Sequence, residues 1–139
     1  AARAHSKHEI EQKLLRVGYR PCTVEMVLYK LEREHLLNDA DFARQWVEAR
    51  SGRKLGRSRI AQELRRKGID ADEAEEALSA IGEDAQLADA IALAEKAAAR
   101  AKSDENPRKT YQRIAAMLAR RGFRWDIAKE ALAQVLQAD

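Results

Sequence analysis

Apolar positions recur in the same order around three glycines of the chain, Gly18, Gly68 and Gly122. Aligned on these glycines, apolar residues lie eight and four positions before and one position after each: Ile10, Leu14 and Tyr19; Ile60, Leu64 and Ile69; Ile114, Leu118 and Phe123. Others follow at offsets of 6, 9, 10 and 13: Val24, Val27, Leu28 and Leu31; Ala74, Ala77, Leu78 and Ile81; Ala128, Ala131, Leu132 and Val135. These offsets trace one face of a helix. The pattern predicts an internal repeat with copies 50 and 54 residues apart.

Each copy is predicted to hold two helices joined by a tight turn at its glycine. Glycine suits this position because it adopts left-handed backbone angles at little cost. Arg16, Arg66 and Arg120 lie two residues before the turns, where a cation complements the negative end of a helix dipole. Helix starts are indicated by Ser6 with Glu9, by Asp70 with Glu73, and by Asn106 followed by Pro107.

A further helix is predicted ahead of the second and third pairs. Both stretches place apolar side chains on one face: Phe42, Trp46 or Val47, and Ala49 in residues 36–51, and Leu87, Ile91, Ala94 and Ala98 in residues 83–102. Asn38 or Asp39 is expected to cap the first of these helices. The predicted fold is all-α, with tandem three-helix modules in an elongated, curved array of right-handed type. The expected modules are residues 1–34, an N-terminally truncated first repeat, then 35–82 and 83–139.

Composition agrees with a helical fold and bounds the chemistry. The chain is 45% apolar but only 5% aromatic, and it is dominated by residues that favour helices. A single cysteine, Cys22, excludes an intrachain disulfide and a multi-thiolate metal site. The sequence shows neither an apolar run of membrane-spanning length nor a charged-then-apolar leader. We therefore expect a cytoplasmic protein.

The sequence offers no catalytic constellation. His5, His8 and His35 could suggest a metal cluster, but ordinary surface histidines explain them better. Cys22 lacks a fixed partner and fits a small packed residue beside Pro21. The stretch GRKLGRS has neither the spacing nor the preceding strand of a phosphate-binding loop. We expect no enzymatic activity, no metal and no cofactor.

Charge is strongly segregated along the chain. Residues 44–67 hold nine basic and two acidic side chains, residues 70–105 hold three basic and eleven acidic, and residues 108–129 hold seven basic and one acidic. Blocks of alternating sign create surface patches that select partners.

Residues 36–69 resemble the signature region of the RecX family. The resemblance is carried by Leu37, Asp39, Asp41, Phe42, Ala43, Arg50, Ser51, Gly56, Ile60, Glu63, Leu64, Lys67, Gly68 and Ile69. The opening HSKHEIEQKL is similar to the first repeat of that family, and the third repeat is recognised mainly by its RGF turn. The resemblance covers essentially the whole chain. It implies a bacterial regulator, itself not an enzyme, that binds the RecA nucleoprotein filament within its helical groove. Such a regulator usually inhibits ATP hydrolysis, strand exchange and co-protease activity.

Three interpretations of the basic patches remain open at this point. The first is a regulator, expected to be a monomer, whose main contact strip is Arg44, Arg50, Arg53, Lys54, Arg57 and Arg59. The wider candidate set adds Arg65, Arg66, Lys67, Arg120, Arg121 and Arg124. Arg50, Arg53, Lys54 and Arg57 share one helical face if the helix continues past Gly52 and Gly56.

The second interpretation is direct, sequence-independent DNA binding by helix-turn-helix-like basic modules, with weak binding to single-stranded DNA or contact through the filament. Base-specific readout is not expected, because the face lacks the Asn and Gln pattern that reads adenine. The third interpretation is that the basic side chains are solvated helix surface and complements of helix dipoles. It suits best those just before the turns, Arg16, Arg66, Lys67, Arg120 and Arg121, and suits the 50–59 cluster less, because nine basic against two acidic side chains exceed what capping requires.

Overall fold

The computed structural model describes residues 4–137, and every regular element in this range is helical. The elements are α1 (Lys7–Val17), α2 (Pro21–Arg33), α3 (Asp39–Ser51), α4 (Arg57–Arg66), α5 (Ala71–Leu78), α6 (Glu83–Ala99), α7 (Pro107–Arg120) and α8 (Trp125–Leu136). The prediction of an all-helical fold is confirmed. In the described part of the chain, no helix is both long enough and apolar enough to cross a membrane.

The repeat glycines end helices as the sequence predicts. Gly18, Gly68 and Gly122 have positive φ angles of 114°, 76° and 97°, a region that side chains with a Cβ rarely occupy. Each turn joins the two helices of a pair: α1 to α2, α4 to α5, and α7 to α8. The glycine-centred alignment therefore located three helix–turn–helix pairs correctly.

The predicted helix starts are confirmed at two of three sites. Ser6 and Glu9 form a full capping box at α1, and the Asn106 side chain accepts a hydrogen bond from the backbone N–H of Arg108. The third box forms only in part. Asp70 Oδ1 accepts from the backbone N–H of Asp72 at 2.8 Å, but Glu73 returns no bond within residues 4–137.

Glu73 lies in an unfavourable position for a carboxylate. Burial raises its pKa, and the negative charges of Asp39, Asp70 and Glu32 raise the pKa further. Burial and the neighbouring acidic side chains both disfavour the ionised form of the Glu73 carboxyl.

The chain forms two compact units. One combines the residues up to Glu48 with Ala61–Leu78, and the other combines Ala49–Ile60 with the residues from Ser79 onward. The division falls inside α3 and inside α4, so neither unit coincides with a set of whole helices. The module boundaries expected after residues 34 and 82 stay predictions.

In the first unit, α1 packs on α2. Val24, Leu28 and Leu37 form a buried cluster, against which Ile10, Leu14 and Leu31 pack while partly exposed. Val27 departs from the prediction, because 38% of it is exposed although its repeat equivalents Ala77 and Ala131 are buried. Within the described residues only two helices precede α3, so this face of the first repeat is less covered.

In the second unit, α6, α7 and α8 pack together as a three-helix module. Its buried cluster comprises Ala90, Ala94, Ile114, Leu118, Phe123, Ala128, Ala131 and Leu132. Small alanines on α6 and α8 let those helix backbones approach closely, while the larger side chains of α7 fill the remaining space. The apolar stripe of α6 is centred on Ala90 and Ala94, and the predicted Leu87, Ile91 and Ala98 pack at its edges.

The face of α3 differs slightly from the prediction. Phe42 and Val47 are buried as expected, and the ring of Trp46 stacks on that of Phe42 at 5.8 Å between centroids. Ala49, however, is exposed, whereas Ala43 is fully buried. The buried stripe runs through residues 43 and 47, one helical turn apart, and Ala49 lies beyond its edge. Asn38 is the cap, since its Oδ1 accepts from the backbone N–H of Asp41.

Candidate partner-binding surface

The centre of the predicted contact strip is a loop rather than a helix. Helix α3 ends at Ser51 and α4 begins at Arg57, and we call residues 52–56 the basic loop. Lys54 has a left-handed φ of 57°, which ends the helical path. The expected single face carrying Arg50, Arg53, Lys54 and Arg57 does not form, because the chain turns at the basic loop. Leu55, only 6% exposed, anchors the loop.

Local backbone bonds close the basic loop on the end of α3. The N–H of Arg53 donates to the carbonyl of Arg50 at 3.1 Å, and the N–H of Lys54 donates to the carbonyl of Ser51 at 2.9 Å. The loop therefore has a defined turn of its own, and its two cationic side chains project from it into solvent.

The turn between α7 and α8 holds the basic loop from the other side. The N–H of Gly56 donates to the carbonyl of Arg121 at 2.7 Å, and the N–H of Ser58 donates to the carbonyl of Gly122 at 3.1 Å. The Arg121 guanidinium donates from Nη2 to the Arg53 carbonyl at 2.6 Å and from Nε to the Lys54 carbonyl at 3.3 Å. Five donors in a fixed fork make arginine suited to bridging two carbonyls in this way.

Two glycines allow this close approach. A Cβ at Gly56 would lie 2.2 Å from the carbonyl carbon of Gly122, and a Cβ at Gly122 would lie 2.3 Å from Cβ of Arg59. The Arg59 guanidinium also donates to the carbonyl of Arg120 at 3.2 Å. Backbone meets backbone here, so the arrangement excludes any larger residue at either glycine without a shift of the main chain.

Gln86 is a buried polar residue that the sequence analysis missed. It is 6% exposed, and its Oε1 accepts from the backbone N–H of Arg57 at 3.0 Å. The bond satisfies one of the open donors at the start of α4. The sequence does carry a signal for its burial, because Gln86 lies four residues before Ala90 and eight before Ala94, on the buried face of α6.

The twelve candidate cations fall into sets with different surroundings. Those of the second unit surround the basic loop and the α7–α8 turn: Arg50, Arg53, Lys54, Arg57, Arg59, Arg120, Arg121 and Arg124. Those of the first unit are Arg44, Arg65, Arg66 and Lys67. The sequence order did not reveal that residues near 53 and near 121 come together, since 68 positions separate Arg53 from Arg121.

Several of these cations have intramolecular partners. Arg44 forms an ion pair with Asp41, and Arg124 Nε lies 3.8 Å from a carboxylate oxygen of Asp126. Lys67 Nζ lies 3.0 Å from Glu9 Oε2 and 5.1 Å from the centroid of the Trp46 ring. Lys67 is therefore part of the packing of the first unit.

Other candidates remain open to solvent. Arg53, Lys54, Arg65, Arg66 and Arg120 are exposed, and among the described residues none of them is ion-paired with a carboxylate. Arg50 and Arg57 are half-buried. The side chains best placed to meet a partner at the basic loop are consequently those of Arg53 and Lys54.

Comparison with known proteins places this geometry in a family. Residues 38–78 match the family model described as RecX, second three-helix domain, and residues 84–132 match RecX, third three-helix domain. Together the two matches cover more than half of the chain. The chain belongs to the RecX family.

Curated RecX relatives match over nearly the full chain. The regulatory protein RecX of Mycobacteroides abscessus is 38% identical over an alignment of 139 positions, gaps included, that covers 95% of this chain and 67% of that protein. The regulatory protein RecX of Chlorobium limicola is 35% identical, covering 97% of this chain and 83% of that protein. The relatives bear the name of a regulatory protein, in keeping with the family resemblance seen in residues 36–69.

Solved RecX structures share the fold. The crystal structure of RecX from Lactobacillus salivarius superposes with a TM-score of 0.85 at 27% identity, covering 98% of this chain and 88% of that one. Another crystal structure of a regulatory protein RecX gives a TM-score of 0.84 at 25% identity, with 93% and 64% coverage. The basic loop lies in the second RecX domain match, and the α7–α8 turn that holds it lies in the third.

Proposed function

We propose that this protein is a non-catalytic regulator of the RecA recombinase, which it controls by binding the RecA nucleoprotein filament through the basic loop. Membership of the RecX family, whose relatives are named regulatory proteins, supports a regulatory role. The observation that carries the proposed surface is the double tether of the basic loop. Its backbone is held by both the carbonyl and the guanidinium of Arg121, while the side chains of Arg53 and Lys54 reach solvent.

A tethered basic loop suits a filament for a physical reason. Ordering a flexible loop on binding costs free energy, and a loop already fixed by its own protein avoids much of that cost. Cations at the edge of an interface contribute mainly to association rate and salt dependence. The proposed outcome of binding is inhibition of ATP hydrolysis, strand exchange and co-protease activity, with the protein acting as a monomer.

A second candidate function is direct, sequence-independent DNA binding. It is favoured by the exposed side chains of Arg65, Arg66 and Arg120, which have no carboxylate ion pair among residues 4–137. Cations of this kind neutralise phosphates whatever the base sequence. Within the regulator proposal, such contacts are an auxiliary interaction with DNA already held in the filament, and binding to bare single-stranded DNA is weak.

The test compares binding to labelled single-stranded DNA, bare and coated with RecA. The wild-type chain is measured beside R53E/K54E and beside a matched control, K96E/K102E. The control makes the same change in net charge at exposed positions of the second unit, outside the basic loop.

We expect tighter binding to the coated DNA. R53E/K54E should lose about tenfold or more of that affinity, equivalent to ~1.4 kcal/mol, and the control should change little. Equal affinity for bare and RecA-coated DNA would contradict the proposal that the protein acts by binding the RecA filament. Unchanged filament binding by R53E/K54E would move the contact surface away from the basic loop.

A further inference from the structure

A second basic surface lies in the first unit, away from the basic loop in sequence. It is a groove of about 360 Å³ between α1 and the end of α4, lined by His5, His8, Glu9, Ile10, Gln12, Lys13, Arg16, Arg66 and Lys67. This groove is open to solvent and is not an enclosed cavity. We call it the α1 groove.

The charge of the α1 groove is unbalanced. Lys13, Arg16 and Arg66 are exposed, and no carboxylate in the described range forms an ion pair with any of them. The one carboxylate in the lining, Glu9, accepts from the Ser6 backbone N–H and pairs with Lys67. Within residues 4–137, these three cations therefore face solvent without a carboxylate partner.

The walls of the α1 groove are fixed to each other. Ser6 Oγ donates to the backbone carbonyl of Lys67 at 2.7 Å, and the Lys67 ammonium reaches Glu9 on the opposite wall at 3.0 Å. A Cβ at Gly68 would lie 2.3 Å from Cβ of His8, so the α4–α5 turn touches the first turn of α1 directly. The groove is consequently a built feature and not a chance gap between mobile side chains.

The shape and chemistry of the groove favour a phosphodiester chain. His8, Gln12, Lys13 and Arg16 recur at helical spacing along one face of α1, giving a track of about 12 Å at ~1.5 Å per residue. The lining offers hydrogen-bond donors and cations, and its aromatic rings are the imidazoles of His5 and His8, with no Phe, Tyr or Trp, so cationic contacts to phosphates dominate.

We propose that the α1 groove binds the phosphate backbone of single-stranded DNA, with Lys13, Arg16 and Arg66 as the contacting cations. A single strand is narrow enough to enter, and its charge is continuous, unlike the separated carboxylates of an acidic protein surface. This inference rests on the proposed function, in which the partner is a filament that contains DNA. It adds a DNA contact that is separate from the basic loop.

The test measures binding of fluorescently labelled oligo(dT) to the full chain by anisotropy across a salt series. The variant is K13Q/R16Q/R66Q, in which Lys67 is left unchanged because it packs in the first unit. The matched control, K96Q/R100Q/K102Q, removes the same charge from exposed positions in the last turn of α6 and just after it. Circular dichroism and thermal melting check that helical content and stability are retained.

The expected change follows from counterion release. Each phosphate contact on a single strand contributes about 0.7 to the slope of log affinity against log salt. Removing three contacts should reduce the slope by about 2. If the variant and the wild type bind equally at 1 M salt, this change in slope makes the variant about 100-fold weaker at 0.1 M salt. The control should keep the wild-type slope.

Three results would overturn the inference. One is unchanged oligo(dT) affinity in the groove variant, and another is an equal loss in the control, which would make the effect one of net charge alone. The third is loss of binding to RecA without DNA while oligo(dT) binding is kept, which would assign the groove to a protein partner.

The proposed function fails separately. R53E/K54E tests the basic loop on the filament, whereas the groove variant is judged on free DNA. If K13Q/R16Q/R66Q binds oligo(dT) like the wild type while R53E/K54E loses filament binding, only this inference is refuted. If K13Q/R16Q/R66Q loses oligo(dT) binding while R53E/K54E binds the filament like the wild type, only the proposed filament contact is refuted.

Discussion

Replacing Arg121 by lysine or alanine tests the claim that the basic loop is held in place by a side chain from the α7–α8 turn. In the structure the Arg121 guanidinium spans the carbonyls of Arg53 and Lys54. Lysine keeps the positive charge but presents one compact ammonium, which cannot repeat a two-point contact through Nε and Nη2. Alanine removes both bonds and the charge.

The magnitude can be worked from the two bonds. A hydrogen bond from a charged donor contributes ~1.5–3 kcal/mol, and half-burial of Arg121 with a long second bond places these at about 1 kcal/mol each. R121A should therefore free the loop by about 2 kcal/mol, a factor of about 30, and R121K by about 1 kcal/mol, a factor of about 5.

Amide hydrogen exchange at Gly56 measures the opening directly, because this N–H donates to the Arg121 carbonyl at 2.7 Å. Exchange should accelerate in the order R121K, then R121A, and the concentration needed to inhibit RecA should rise in the same order. The reasoning is refuted if Gly56 exchange is unchanged in R121A. It is also refuted if R121K binds filaments like the wild type while R121A does not, since Arg121 would then act by charge at the partner.

Two further predictions concern the first unit. Gly18→Ala should lower the free energy of unfolding by about 1–2 kcal/mol, the cost of placing a residue with a Cβ in the left-handed region. No collision adds to this cost, because nothing lies within 4 Å of the added atom. Gly68→Ala should lose more in the same urea titration, since its Cβ would collide with His8 at 2.3 Å; equal losses would contradict the described packing. Burial and neighbouring carboxylates raise the pKa of Glu73 in the folded protein. The stability of the fold is therefore highest below the unfolded-state pKa of Glu73, where the carboxyl is protonated in both states, and it falls as pH rises through the folded-state pKa. E73Q should therefore melt higher than the wild type at neutral pH, with the gain vanishing in acid, and a gain that persists in acid would exclude this cause.

The repeat architecture was predictable because it depends on the spacing of apolar residues and glycines close together in the chain. Ile60, Leu64, Ile114 and Leu118 are fully buried, at the positions that alignment on the glycines selected. Helical periodicity and a left-handed turn residue are properties of neighbouring residues, so a single sequence reveals them. The same reasoning found the Ser6 capping box.

The candidate surface was predictable only in part. The concentration of charge around Arg53 and Lys54 is visible in the sequence, but the end of α3 at Ser51 was left open by the glycines at 52 and 56. The bonds from Arg121 to the basic loop and from Gln86 to Arg57 join residues far apart in the chain. No periodic pattern records such side-chain-to-backbone contacts, because each depends on how helices pack.

The central claim, regulation of RecA through the basic loop, is tested most directly by the rate of DNA-dependent ATP hydrolysis by RecA. The rate is titrated with the wild-type chain, R53E/K54E and the K96E/K102E control at two salt concentrations. We expect the wild type and the control to inhibit hydrolysis. Inhibition by R53E/K54E should need about tenfold more protein at low salt, with a smaller difference at high salt because exposed charges are screened. Hydrolysis that the wild-type chain leaves unchanged, or that all three proteins inhibit equally, would contradict the central claim.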